Sequence, residues 1–317
     1  MGTVQTVQPL DPVRAGVVAA ARRALGPVGA VLPVSFTALP PVTAQVAAAV
    51  RLERAGYRAA WTNEVVGGKD ALVQSALLLA ATRRMVWGTA IANLWARPPQ
   101  TLHAAAAQLA EAYPGRFVLG IGGGYPEQAA AVGREFGSPL ATMRGYLERM
   151  DAPTRPAAPD ADHLRIVAAN GPRMLELAGE IADGALPAGL PPQFTARARQ
   201  VLGPDRLLVV GMQVIPDADH GRAREAARER VAAALARPAY AAGVARLGFP
   251  ASGTGGVSDR LVDAVVAHGG PDAIAAGARA HLAAGADHVV LLLQPGVDFA
   301  AGVDRLEELA PALTGTG

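Results

Sequence analysis

The feature that most constrains this chain is a repeated alternation. Short apolar runs suited to buried strands recur along its 317 residues, each followed by a helical segment. A parallel strand covered on both faces reads as a continuous hydrophobic run bounded by turns. Such runs lie at 28–35, 58–64, 85–92, 116–121, 164–169, 183–188, 206–215 and 287–294, and helical segments fill most of the intervals between them. Eight strands alternating with helices predict an α/β chain folded as a (β/α)8 TIM barrel. The competing fold is a doubly wound open sheet, which places its glycine fingerprint after the first strand. Here the glycine turn Gly122-Gly123-Gly124 follows the fourth strand, so the barrel is expected.

Composition fits thin helices packed on a parallel sheet. Hydrophobic residues make up 51% and aromatics only 4%, so the core must be built from Ala, Val and Leu. There is no cysteine, which removes disulfides, a thiolate nucleophile and cysteine metal sites from consideration. The formal charge is +2, Lys69 is the only lysine, and arginines alternate with acids along helices. No basic stripe for nucleic acid is expected. No run is long enough to span a membrane, and a cytoplasmic protein is the expectation. A single domain, 1–317, is expected. Residues 1–27 form an N-terminal extension whose 13–25 segment reads as a helix closing the barrel bottom, with a transit peptide as the alternative. Residues 151–162, rich in Pro and Ala, read as a linker or a shortened surface excursion. Residues 238–270 read as an irregular insertion between strands seven and eight, with a short helix, ending at His268, after the run Gly253 to Gly256.

Barrel ligands sit at the carboxyl ends of the strands. That rule selects Ser35 and Phe36; Asn63 and Glu64; Ala90 to Asn93; Gly122 to Tyr125; Asn170 to Arg173; Gln213; and Gln294. The set holds one carboxylate, several amides and no histidine, so neither a metal site nor a Ser-His-Asp set is expected. A site with few ionisable groups suits a cofactor that brings its own reactivity. Asn170-Gly171-Pro172-Arg173 opens a helix whose free N–H groups can cradle a phosphate, with Arg173 adding charge. The alternative there is ordinary capping, with Asn170 as N-cap and Pro172 at the first helical position.

Several motifs occur in order. They are Trp61-Thr62-Asn63-Glu64; Gly88-Thr89-Ala90-Ile91-Ala92-Asn93 with Arg97-Pro98; Pro114 through Gly122; and Ala178-Gly179-Glu180-Ile181-Ala182-Asp183-Gly184. Ser258 through Ala264 and Ala284 through Val289 continue the series. Together the set resembles the bacterial luciferase-like superfamily, in particular its actinobacterial coenzyme F420-dependent oxidoreductases, over nearly the whole chain. The resemblance implies a deazaflavin across the barrel mouth with its phosphate near Asn170 to Arg173. It also implies a non-proline cis peptide at Ala90-Ile91, forming a ledge under the ring. Three positions depart from the F420-dependent dehydrogenases of that group. Asn63-Glu64 stands where they have Asp-His, Tyr125 where they have Glu, and Leu186 to Leu190 lacks the hydroxyl and lysine that hold phosphate.

The expected cofactor is coenzyme F420, with FMN as the alternative. The expected cofactor-binding residues are Asn63, Ala90, Ile91, Asn93, Gly122, Gly124, Tyr125, Asn170, Gly171, Pro172 and Arg173. A small-molecule substrate is expected to meet Phe36, Trp95, Gln213, Tyr240 and Phe249. Glu64 is the candidate proton donor or acceptor; the alternative is a structural carboxylate paired with Arg97. The expected activity is hydride transfer between the deazaflavin and a small organic substrate. The alternatives are an FMN-dependent monooxygenase or reductase of the same fold, and a non-catalytic ligand-binding barrel. Residues 238–270, with Tyr240, Leu247 and Phe249 as an apolar face and Gly253 to Gly256 as hinge, read either as a substrate-side cover or as a homodimer contact.

Overall fold

The structure is a computed structural model that describes residues 8–34, 38–250 and 257–315. Among these residues ten strands form one parallel sheet. They are β1 (Val28–Val31), β2 (Ala59–Thr62), β3 (Val86–Thr89), β4 (Ala92–Asn93), β5 (Phe117–Gly122), β6 (Leu164–Ala168), β7 (Gly184–Leu186), β8 (Leu207–Pro216), β9 (Val266–Gly269) and β10 (His288–Leu293). The sheet closes because β10 pairs with β1, Val289 opposite Val28, and also with β8, Val290 opposite Gly211. Eight strands make the barrel. The two-residue β4 hangs on the end of β5, and β9 extends β8 beyond the barrel, with Val266 opposite Gln213.

The helices are α1 (Pro12–Leu25), α2 (Val42–Arg54), α3 (Ala71–Ala81), α4 (Pro99–Ala112), α5 (Pro126–Ala130), α6 (Pro139–Met150), α7 (Pro172–Ile181), α8 (Pro192–Leu202), α9 (His220–Leu235), α10 (Pro238–Ala245), α11 (Asp259–Val265), α12 (Pro271–Ala283) and α13 (Phe299–Thr314). Eight of these thirteen carry proline in the first turn, where the missing N–H costs nothing. Alternate residues of each strand point to two different cores. Leu119, Ile121 and Leu291 face outward to the helices, whereas Trp61, Val118, Ile166 and Val290 fill the barrel lumen.

Helix α1 closes the amino-terminal end of the lumen. Val18 and Leu25 are fully buried in the same cluster as Trp61 and Val209, worth roughly 1.5–3 kcal/mol each in apolar burial. Arg14 fixes the helix to Asp183 at 2.5 Å, and Arg22 fixes it to Asp287 at 3.0 Å. The barrel bottom is therefore plugged, and the carboxyl ends of the strands are left for ligands.

Segment 238–270 holds the short helix expected after its glycine run, α11, and departs from the expected irregularity in α10 and β9. Pro238 starts the short helix α10, Ser258 caps α11 by accepting the Leu261 N–H, and the run Val-Ala-His-Gly becomes β9. Nothing local marks β9 as a strand; its identity comes from the exposed edge that β8 offers at Gln213 to Pro216. His268 accordingly lies in a strand rather than at a helix end.

Candidate active site

The glycine turn after β5 starts the mouth. Gly122 ends the strand with no side chain because Ile91 and Ala168 crowd in from the two neighbouring strands; a Cβ there would stand 2.8 Å from Ile91 Cδ1 and 3.1 Å from Ala168 Cβ. Gly124 has φ +57°, a conformation that suits glycine. Tyr125 follows, its N–H donated to Gln128 Oε1 at 2.9 Å, which launches α5. Opposite Gly122, the peptide Ala90-Ile91 is cis, as the resemblance implies. Thr62 and Ile91 carbonyls accept the N–H groups of Ala90 and Glu64, so β2 braces this ledge from one side.

Glu64 does not open to the mouth. Its side chain is 2% exposed and both oxygens are occupied. Oε1 accepts the Ala71 N–H at 3.2 Å and an Arg97 N–H, and Oε2 accepts the Asn93 N–H at 2.6 Å. Arg97 also holds Asp70, the N-cap of α3, at 2.7 Å. The geometry therefore gives Glu64 the partner named in the structural alternative. It is a strut joining β2, the start of α3 and the turn after the ledge.

Around that strut sit three other mouth residues. Asn93 is buried; its Oδ1 accepts the Trp95 N–H, and its Nδ2 has no acceptor. Trp95 donates its indole N–H to Gly123 O at 2.7 Å and packs on Phe136, so it supports the glycine turn. Asn63 accepts from Lys69 Nζ at 2.8 Å, and burial lowers the Lys69 pKa to about 8, while the nearby Glu64 carboxylate opposes that shift.

A cavity of about 480 Å³ opens beside this turn, across the ends of β5 to β8. It brings together Tyr125, Asn170, Gly171, Gln213 and Tyr240 from the expected set. Asn170 is not the cap of α7. Its amide pairs with both backbone groups of Ala188, at 2.9 and 3.1 Å, and Gly171 takes the N-cap position with no side-chain acceptor for the first N–H groups. Tyr240 donates its O–H to Gly189 O at 2.9 Å, which holds α10 against the mouth.

Three expected residues lie elsewhere. Arg173 is exposed and lines neither this cavity nor the adjoining cleft, because the second helical position points it outward. Phe249 is buried in the outer core with Arg260 stacked over its ring, so it anchors the segment instead of facing a substrate. Phe36, like the Gly253 to Gly256 run, lies outside the described residues. The cations at the mouth are different ones: Arg230, Arg237 and Arg246 line the cavity, and Arg197 joins Arg246 in the cleft beside Pro172. The seven-residue spacing of Arg230 and Arg237 was the available sequence signal.

Residues 13–288 match the family described as luciferase-like monooxygenase. The chain belongs to this luciferase-like family. It is 30% identical over 174 residues to a putative coenzyme F420-dependent oxidoreductase of Mycobacterium tuberculosis, covering 45% of this chain and 50% of that protein. The chain spans about half the length of the curated relatives it matches. An F420-dependent secondary alcohol dehydrogenase, solved with an F420-acetone adduct, superposes with a TM-score of 0.70 at 17% identity, over 90% of this chain and 98% of that one. The oxygenating constituent of 3,6-diketocamphane monooxygenase from Pseudomonas putida, solved with FMN, gives 0.67 at 17% identity, over 90% and 98%. These two likenesses show the shared luciferase-like barrel. No helix among the described residues is long and apolar enough to cross a membrane, and no cluster of metal-ligating side chains is present among them.

Proposed function

We propose that this luciferase-like barrel is a coenzyme F420-dependent oxidoreductase that moves a hydride between the deazaflavin and a small organic substrate. The observation that carries this reading is the make-up of the mouth. It has a backbone ledge at Ala90-Ile91, a bare Gly122 on which Ile91 of that ledge packs, and an uncapped α7 N-terminus at Gly171. Its one expected carboxylate, Glu64, is spent on Arg97 and two backbone N–H groups. Such a mouth is furnished for a flat ring with a phosphate and leaves the redox chemistry to the cofactor.

The residues fit that group. The space where Gly171 would carry a Cβ is open, and the bare Gly122 lets the Ile91 side chain of the ledge pack against the end of β5. Asn93 Nδ2 is a buried donor without an acceptor beside Gly124, suited to a heterocycle carbonyl. When bound, a deazaflavin supplies two-electron hydride transfer. The chain itself would hold the phosphate on the N–H groups of α7, keep the ledge in place through Glu64, and exclude water with α10. Tyr125 Oη accepts from Arg237 at 2.7 Å, so its own O–H remains to be donated at the cavity wall. F420 is preferred to FMN because the relative at 30% identity carries F420 in its name.

Titration of the pure protein with F420 and with FMN, followed by quenching of cofactor fluorescence, tests the reading. Saturable F420 quenching with weak or no FMN quenching is the expected result. Tight FMN binding alone would move the assignment to a flavin enzyme, and binding of neither would move it to a non-catalytic barrel.

A further inference from the structure

The arginines of the mouth are unevenly treated. On helix α9, Arg222 pairs with Asp217 at 2.5 Å, Arg224 with Asp263 at 3.0 Å and Arg228 with Asp259 at 2.6 Å. Arg230, on the same helix, and Arg237 and Arg246, at the two ends of α10, have no carboxylate partner among the described residues. Their recorded contacts are neutral. Arg230 Nε donates to Gln213 Oε1 at 3.3 Å, Arg237 Nη1 donates to Tyr125 Oη at 2.7 Å, and the Arg246 guanidinium has no acceptor among the described residues. All three line the 480 Å³ cavity, and among the described residues no aspartate, glutamate or lysine does. Each guanidinium offers five N–H donors, so most of this donor capacity is unspent. The floor beneath them is apolar, with Val231, Ala234, Val265 and Val266.

Three like charges converging on one cavity repel each other unless an anion enters. Guanidinium is the group best matched to a carboxylate or phosphoryl group, which it can hold bidentately. We propose that the substrate carries a carboxylate or phosphoryl group, gripped by Arg230, Arg237 and Arg246, with its apolar part on the Val265-Val266 floor. The inference rests on reading this mouth as the active site. It assigns the arginine wall to substrate because that wall belongs to the segment between β8 and β10. The uncapped α7 N-terminus, where a cofactor phosphate would sit, is formed by the separate loop after β6. The sequence signal is the pair of arginines seven residues apart in the alanine-rich stretch of α9 and the turn after it.

The test uses calorimetric titration of the cofactor-free full chain with phenyl phosphate, 3-phenylpropionate and the neutral 3-phenylpropanol, at low and high salt. Both anions are expected to bind at least about 10-fold more tightly than the alcohol, as charge-assisted bonds allow. Raising the salt should weaken the anions and not the alcohol. Arg230→Gln and Arg246→Gln should each weaken the anions by about 10-fold or more, with an unchanged melting temperature, since neither side chain belongs to the core. A parallel fluorescence titration of the same variants with F420 and FMN separates the two sources of an anion. Unchanged cofactor affinity supports a substrate site; a loss as large as that for phenyl phosphate gives the arginines to the cofactor and overturns the proposal. Equal binding of anion and alcohol overturns it as well. Anion binding with no binding of either cofactor leaves the arginine site standing and sinks the oxidoreductase reading instead.

Discussion

Glu64 is the residue at which structure and catalysis make opposite predictions, and Glu64→Gln separates them. The carboxylate accepts three hydrogen bonds in a side-chain environment only 2% exposed. Glutamine replaces one oxygen with an NH2 group. Whichever way the amide turns, a donor then faces a donor: the Asn93 N–H on one side, or the Ala71 N–H and Arg97 on the other. Arg97 is also left with only the half-exposed Asp70 as its counter-charge. Removing one partner of a buried ion pair costs roughly 3–5 kcal/mol. Unfolding entropy scales with chain length to about 0.7 kcal/mol/K here, so the melting temperature should fall by about 4–7 °C. Because the Asn93 bond holds the turn after the ledge, cofactor affinity should fall while kcat at saturation is largely kept. The double variant Glu64→Leu/Arg97→Met removes the unpaired charge but leaves the Asn93 and Ala71 N–H groups without an acceptor, at ~1–3 kcal/mol each, so it should recover only part of the loss. Differential scanning fluorimetry and a cofactor titration on the same preparations read both effects. An unchanged melting temperature and affinity with abolished turnover would refute the strut and restore Glu64 as the proton-transfer group.

Two further outcomes follow from buried titratable groups. His288 is fully buried, accepts the Trp61 indole N–H on Nε2 at 3.1 Å and therefore donates Nδ1–H to Gly26 O at 2.7 Å. Burial lowers its pKa to about 4, and lowers that of His281, beside Thr195, to about 4 as well. Their unfolded forms titrate near 6.5, so between about pH 6.5 and 4 the unfolded chain binds more protons and stability falls as pH falls, by up to roughly 3 kcal/mol per histidine. Urea midpoints that stay constant from pH 7 to pH 4.5 would contradict this. Lys69, the sole lysine, has its pKa lowered to about 8 by burial. The cost of its buried charge is fully present below about pH 8 and is relieved as pH rises toward 10.5, so Lys69→Met should raise stability at pH 7 and lose that advantage by pH 10. Single-site reductive methylation followed by NMR titration of the methylamine reports the same midpoint; a value near 10.5 would show the side chain to be solvated.

The sequence by itself determined the barrel. Eight apolar runs with helical segments between them leave few other ways to bury both faces of every strand, and the strands close in that order. It also marked the positions of the mouth, because strand ends are where apolar runs meet glycine, amides and proline. Gly122, Gly124, Tyr125, Asn170 and Gln213 were legible on that ground, and Ala90-Ile91 through the family resemblance. What it could not determine was what each side chain meets. Glu64 and Arg97 are 33 residues apart, and whether the carboxylate faces a ligand or a guanidinium depends on the path of the β4–α4 loop. Asn170 resembles a helix cap until the β7–α8 turn offers it Ala188. Segment 238–270 carries no strand signal, yet Val266–Gly269 becomes β9 because β8 outruns its neighbours. Local periodicity records which face of an element is apolar; it does not record which neighbour arrives from across the barrel. For the same reason the three arginines of α9 and α10 read as ordinary surface charge in the sequence, and only the closed barrel turns them onto one cavity.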